Sequence, residues 1–276
     1  MRIPPLPHLA LDGAAVDFRY ARKLDMHRHV SSGPSAYEPD VLSILLCLLG
    51  SHERSRFINI GANIGYFPLI VKQLFGDRVD VHAYEPMPEL VERLNEAQRR
   101  NKVDFRVSDI ALADFEGTAP FHLSARSDTS NSLNPNFRPA KEVIEVTVST
   151  LDAEFPAAGG TDHRDDRFAT EATVLLIDTE STEPAVLRGA LGYIGRVRPA
   201  IICEVLAGRT EDDLSAIMHQ IDYSAYALTD DGPELRAKVV GDRTYEHRDW
   251  VFLPSAAPAP DQACFAETMR ILRETD

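Results

Sequence analysis

The sequence predicts an α/β protein built on a mostly parallel, doubly wound sheet. Three observations predict it. A short apolar run, Phe57 to Ile60, ends in Gly61-Ala62-Asn63-Ile64-Gly65 and gives way to Tyr66–Phe75, whose apolar residues fall three and four apart. The same alternation of strand and helix repeats downstream, as a parallel sheet with crossover helices requires. Two later strands, TVLLID from Thr173 and PAIICEV from Pro199, are apolar on both faces, as in sheets covered on both sides.

Composition sets the outer bounds. The chain has 276 residues, 44% hydrophobic and 26% charged, enough for one large globular domain. Its formal net charge of −14 argues against nucleic acid and against anionic lipid as partners. The longest apolar run, Val41 to Leu49, is about half of what a membrane span needs, so no span is expected. The N-terminus, MRIPPLPHLALDG, lacks the apolar core of a signal peptide. Cys47, Cys203 and Cys264 lie far apart, are odd in number and form no C-x-x-C pair. They read as three free thiols in a reducing, cytoplasmic compartment.

In chain order, residues 1–36 form a polar, proline-punctuated extension. Within it Arg19–Arg28 is a short helix candidate and His27–Ser35 a loop. His27 and His29 are two apart, so they do not share a helix face. Asp40 reads as the cap of a helix to Leu49 that is apolar nearly all round. Such a helix is buried on most sides, against the sheet or against a second copy in a homo-oligomer. Gly76-Asp77-Arg78 is a turn, Val79–Glu85 the second strand, Pro88 to about Arg100 a helix, and Val103–Ala111 the third strand. Ala119–Ser124 and Val143–Leu151 read as a β-hairpin-like insertion with a long Ser/Asn/Pro-rich tip. Pro156–Thr173 is expected as a mobile loop at the amino edge of the sheet and not a lid. Helices Glu183–Ile194 and Glu211–Ile221, capped by Thr210, alternate with the two apolar strands. Strands Tyr223–Leu228 and Asp249–Pro254 end the domain at 37–254. The remainder, 255–276, reads as a linker and a helix, Cys264–Arg273.

Ligands of a parallel sheet gather at the carboxyl ends of its strands. The first such end, Gly61 to Gly65, is a tight turn before a helix N-terminus. A dinucleotide fingerprint G-x-G-x-x-G counted from Gly61 finds Asn63 and Tyr66 where glycines belong. A pyrophosphate has no bare backbone there. A smaller ligand without one, such as S-adenosylmethionine (SAM), tolerates the change. The next strand ends at Glu85, 24 residues on and near the usual place for a ribose-binding carboxylate. The third ends near Asp109, an acceptor for an adenine amino group. Two more end at Asp178, followed by Glu180, and at Glu204. Carboxylates at buried strand ends call for a ligand or a metal, or else cap nearby helices. Asp178 or Glu180 suits a general base, with His27 and His29 as outside candidates. Alternatively Asp178, Glu180 and Glu204 hold Mg²⁺, which favours oxygen ligands.

FINIGANIGYFPL, AYEP, ALADFEG, STLD, LLIDTESTEPAVLRGA and RPAIICEV, in this order and spacing over about residues 37–254, resemble the FkbM family of SAM-dependent methyltransferases. The resemblance implies a class I methyltransferase fold, Rossmann-like, with a mostly parallel seven-stranded sheet. It also implies methyl transfer to a hydroxyl of a small acceptor, often a sugar or a polyketide-derived natural product. A SAM-binding module of the same fold without catalysis is the alternative. By position it puts Gly61, Asn63 and Gly65 on the cofactor turn, Glu85 on the ribose, and Ser108, Asp109 and Ala111 near the adenine. Asp178, Glu180 and Glu183 match the family's Asp-x-Glu-x-x-Glu signature, and Glu38 an acid ahead of the turn. The chain departs from the family at Asn59, where Asp is usual and contacts the methionine ammonium. It departs again at Leu176–Glu183, where the family usually reads Lys-Ile-Asp-Val-Glu-Gly-Ala-Glu.

Overall fold

A computed structural model of the chain describes residues 1–22, 24, 26–30, 32–127, 129–157 and 172–274. The N-terminal extension holds a two-residue antiparallel pair, β1 (Arg2–Ile3) and β2 (Ala14–Ala15), and a short helix α1 (Met26–Val30). The expected loop from His27 therefore begins as helix. Then come α2 (Pro39–Gly50), β3 (Ser55–Ile60), α3 (Tyr66–Phe75), β4 (Val79–Tyr84), α4 (Pro88–Asn101) and β5 (Arg106–Ser108). β6 (Ala111–Leu112), β7 (Gly117–Ser124) and β8 (Ala140–Ser149) form a separate three-stranded sheet, the expected hairpin with one added edge. The third strand expected over Val103–Ala111 is thus divided between two sheets. α5 (Leu151–Glu154), β9 (Ala172–Ile177), α6 (Glu183–Arg188), α7 (Leu191–Val197), β10 (Ala200–Glu204) and α8 (Glu211–Gln220) follow. The chain ends with β11 (Tyr223–Thr229), β12 (Gly232–Arg236), β13 (Asp249–Pro254) and α9 (Gln262–Arg273). Of the loop expected over Pro156–Thr173, residues 158–171 lie outside the described residues.

The main sheet has eight strands in the order β12-β11-β13-β10-β9-β3-β4-β5, against the seven expected. The extra one is β12, a charged edge strand with no apolar alternation to announce it. β10, β9, β3, β4 and β5 are mutually parallel, and β13, β11 and β12 are antiparallel. The chain order reverses between β3 and β9, which is the switch point where an α/β sheet opens a crevice.

Each face of the sheet has its own core. α2, α3, α4 and α9 cover one face together with Leu6, Val16 and Tyr20 of the N-terminal extension. α6, α7 and α8 cover the other. The single helix expected over Glu183–Ile194 is two, α6 and α7, interrupted at Gly189 and Ala190; Gly189 lies against Ala113, whose carbonyl oxygen would be 1.9 Å from any Cβ placed there. Asp40 is not the cap of α2. That position is Glu38, at φ 42°, with Pro39 opening the helix.

α2 is buried almost throughout, as its all-round apolar pattern requires, between the sheet and α9. There Cys47 and Cys264 form a disulfide, their Cα atoms 6.0 Å apart. Two of the three cysteines read as free are therefore joined. A separation of 217 residues concealed the packing of their two helices, and the thiol-based ground for a reducing compartment falls with the pair. Cys203 is free and buried. No helix among the described residues is long and apolar enough to cross a membrane.

Candidate active site

A cavity of about 390 Å³ opens at the switch point. β3 delivers its floor. Ile60 lies opposite Ile177 in the parallel register, and Asp178 N–H donates to the Ile60 carbonyl at 3.1 Å. The chain leaving β3 must therefore pass directly over Asp178. A Cβ on Gly61 would stand 1.9 Å from the Asp178 carbonyl oxygen, and Gly61 has φ 86°, so only glycine fits. Asn63 adopts φ 49° and caps the turn itself, its Oδ1 accepting from Ile64 N–H at 2.8 Å. Gly65 has another duty. Leu94 of α4 fills the space a side chain would need, at 2.5 Å, and Gly65 does not line the cavity.

Glu85 follows β4 and is 5% exposed. Its Oε2 accepts from Asn63 N–H at 2.9 Å and its Oε1 from Met87 N–H at 3.0 Å. The acid thus ties the Gly61–Asn63 turn to the start of α4 and still lines the cavity. Burial pushes its carboxyl up to about 7, opposed by these two backbone donors. Ala111 lines the cavity with Ile110 and Leu112. Ser108 and Asp109 do not: Ser108 ends β5 and gives its carbonyl to Glu85 N–H at 3.0 Å.

The acids at the other strand ends converge. Asp178, Glu180 and Glu204 all line the cavity, as do Glu38 and Asn59. Asn59, Asp178 and Glu204 share the sheet face of Leu176 and Ile202, where α2 and α3 pack. Glu183 sits beneath them, fully buried. Its Oε1 accepts from Thr179 N–H at 3.0 Å, Thr179 Oγ1 at 3.2 Å and Ser181 N–H at 3.1 Å, which shapes the loop carrying Glu180. Asp178, Glu183 and Glu204 each bring one carboxylate oxygen within 4.8 Å of the others. Glu180, expected as the third of that group, is not in it; Glu183 takes its place. Among the described residues, Asp178 Oδ1, Glu183 Oε2, Glu204 Oε2 and Asn59 Oδ1 are buried without a hydrogen-bond partner.

Burial and mutual repulsion raise these acids' affinity for protons. Glu38 is pushed up to about 8 and Glu180 to about 9, both by burial first and then by Asp178. Asp178 and Glu204 are raised too, again chiefly by burial. The opposing charge is Arg248, 3.1 Å from Glu38 Oε1 and 3.3 Å from Glu204 Oε1. Arg248 and Asp249 line the cavity and were not expected from the sequence. Because β13 runs antiparallel to β10, its first residue, Asp249, pairs with the last of β10, Glu204. Arg248-Asp249, the dipeptide at the start of the last strand, was the available signal, legible once that strand is placed beside β10.

Tyr37, Tyr66 and Phe67 form an aromatic wall, with centroids 5.2 Å apart for Tyr37–Tyr66 and 5.0 Å for Tyr66–Phe67. Ser127, Thr129, Asn131 and Leu133 of the hairpin tip also line the cavity. His27 lies in a separate groove beside Arg19 and Val30. The side chain of His29 lies outside what is described.

No curated protein matches the chain. Solved structures are similar at low identity. A methyltransferase FkbM from Methylobacillus flagellatus KT has 14% identity and a TM-score of 0.46 over 73% of this chain and 44% of that one, so this chain spans under half of its length. A precorrin-6y C5,15-methyltransferase from Geobacter metallireducens GS-15 has 9% identity and a TM-score of 0.41, covering 81% and 94% of the two chains. TYW2 of M. jannaschii, in complex with AdoMet, has 13% identity and a TM-score of 0.36 over 78% and 75%. The model of the methyltransferase FkbM domain matches residues 59–243, more than half of the chain, including the cavity residues from Asn59 through Glu204 but not Tyr37, Glu38, Arg248 and Asp249. The chain belongs to the methyltransferase FkbM family.

Proposed function

We propose that the cavity binds SAM between the Gly61–Asn63 turn and Glu85, and that the protein transfers its methyl group to a hydroxyl of a small polyhydroxylated acceptor. One observation carries the reading. Glu85, fixed by two backbone donors, and the side-chain-free Gly61 meet in the same cavity as the strand-end acids. The residues fit the cofactor: Gly61 leaves bare backbone, Asn59 Oδ1 is a buried acceptor without a donor, and Glu85 stands where ribose hydroxyls are taken.

SAM, when bound, supplies a methyl group on a positively charged sulfur. The chain then has to align an acceptor, exclude water and remove a proton. Asp178 takes the proton of the acceptor hydroxyl, and the burial that raises its proton affinity suits it to that task. Glu204, held by Arg248, and Glu180 shape the field around it. The polar tip groups of the hairpin face the acceptor.

A second reading places Mg²⁺ on Asp178, Glu183 and Glu204, supported by the three oxygens within 4.8 Å. Arg248, 3.3 Å from Glu204, weighs against a second cation there, so the direct base is preferred. Calorimetry with SAM and with S-adenosylhomocysteine (SAH) tests the cofactor assignment: a folded sample that binds neither sinks it. Binding without turnover over a broad panel of sugar and macrolide hydroxyls favours the non-catalytic module.

A further inference from the structure

The acceptor side of the cavity is built for positive charge. Glu38, Asp178, Glu180, Glu204 and Asp249 line it, and Arg248 is the single basic side chain among the described residues that do. Arg248 is already engaged by Glu38 and Glu204. Asp178 and Glu180 have no ion pair among the described residues. An ionised carboxylate left unpaired at this depth is costly, so these acids hold protons in the free protein, and a ligand that brings a cation lets one of them ionise and pair with it.

A second observation does not depend on charge. Glu204 Oε2, in a residue 3% exposed that lines the same cavity, has no donor among the described residues, and neither has Asn59 Oδ1, 2% exposed, which the cofactor reading above gives to SAM. The wall therefore demands donors as well as charge. The aromatic wall of Tyr37, Tyr66 and Phe67 stands beside Glu38, and ring faces attract ammonium groups. SAM carries two cationic groups and one carboxylate. Its net single charge leaves the carboxyl groups in excess. A phosphorylated or uronic acceptor would add to that excess.

Resting on the methyl-transfer reading above, we propose that the acceptor is an amine-bearing polyol, such as an amino sugar, whose ammonium is held by Glu180 while a neighbouring hydroxyl faces Asp178. Glu180 thereby selects the acceptor and Asp178 serves the reaction.

The test uses the full chain saturated with SAH and calorimetry with four probes: glucosamine, N-acetylglucosamine, glucose 6-phosphate and the larger aminocyclitol glycoside neamine. At least one amine should bind about tenfold tighter than its N-acetylated form or than the sugar phosphate. Glu180→Gln should abolish most of that preference and leave SAH affinity unchanged. Equal affinity for amine and acetamide, preference for the phosphate, or no amine binding at tens of millimolar overturns the proposal. So does an amine preference intact in Glu180→Gln, or added Mg²⁺ that binds and displaces the amine. Absence of SAH binding sinks the methyl-transfer reading itself. SAH binding without an amine preference sinks this inference alone.

Discussion

Asn134 donates from Nδ2 to the Ser181 hydroxyl at 2.9 Å, and Ser181 is held at φ 80°. Glu180 before it is at φ 57°, so two consecutive non-glycine residues adopt left-handed backbone two residues after Asp178, which follows β9. Such conformations cost on the order of 1–3 kcal/mol each and persist only when neighbours impose them. Here the hairpin tip imposes them. Ser132 Oγ donates to the Glu180 carbonyl at 2.7 Å, and Asn134 N–H donates to Ser132 Oγ at 2.9 Å. The insertion and the acid loop are one hydrogen-bonded unit. Ser181 stands where the family usually has glycine, and Asn134 supplies the restraint that a serine needs there.

Asn134→Ala should therefore lower unfolding free energy by about 1 kcal/mol and raise amide exchange over residues 179–183. Ser181→Gly in that background should restore protection, because glycine reaches positive φ without strain. Denaturant unfolding and hydrogen exchange read both effects. A double variant no better protected than Asn134→Ala would show that the serine's strain is not what Asn134 offsets.

The central sheet was legible because its code is local. Phe57–Ile60 and Thr173–Asp178 are largely apolar on both faces, and Gly61 marks a place where two strand ends leave no room for a side chain. What escaped detection depends on distant partners. Arg248 means little until β13 lies beside β10, and Cys47 until α9 lies on α2. Gly65 was read as a ligand contact because a glycine required by Leu94 looks, in sequence, like one required by a cofactor. Glu180 and Glu183 exchanged places in the carboxylate group because the left-handed backbone at 180–181 turns the register of that loop.

Glu85 gives a cofactor prediction with a pH signature. Glu85→Ala should weaken SAM and SAH binding by about 1.5–3 kcal/mol, the range for hydrogen bonds to a charged group. In the intact protein, affinity should weaken as pH falls through about 7, where the Glu85 carboxyl gains its proton and loses acceptor capacity. Calorimetry from pH 6 to pH 8.5 measures this. An alanine variant within twofold of the parent places the ribose elsewhere.

Ligand-free stability should fall as pH rises. Glu85 and Glu183 are raised to about 7, Glu38 to about 8 and Glu180 to about 9, from an unfolded value of 4.5. Between 4.5 and those values the folded protein holds protons that the unfolded chain has lost. Their contribution is complete below 4.5 and disappears as pH climbs through the folded values. Asp17, lowered to about 2 chiefly by Arg19, works in the opposite sense but only in acid. Melting temperatures at pH 5.5, 7 and 8.5 should decrease in that order. A rising series would mean that these acids are already paired in the free protein.

The disulfide closes a loop of more than two hundred residues between α2 and α9. Cys264→Ser should cost about 2–5 kcal/mol, in the upper part of the usual range because the loop is long. Thiol titration of the oxidised, denatured protein should count Cys203 alone. Three reactive thiols would refute the bond.

Asp178 offers the decisive test of the chemistry. Its carbonyl packs on Gly61 and its N–H on Ile60, so its backbone cannot move without disturbing the Gly61–Asn63 turn, while its Oδ1 has no partner among the described residues. Asp178→Asn keeps this shape and removes the charge. Turnover should fall by about 10²–10⁴, the usual worth of general-base assistance, with SAM affinity nearly unchanged. Chelation then separates the two roles of the acid group. With Arg248 already occupying Glu204, wild-type activity should be indifferent to EDTA. Activity abolished by EDTA and restored by Mg²⁺ would instead assign Asp178, Glu183 and Glu204 to a metal, and Glu183→Gln should then lose metal binding as well as activity. An Asp178→Asn enzyme that turns over normally would eliminate both versions and leave Glu180, a cavity acid on the same loop with no ion pair among the described residues, as the candidate base.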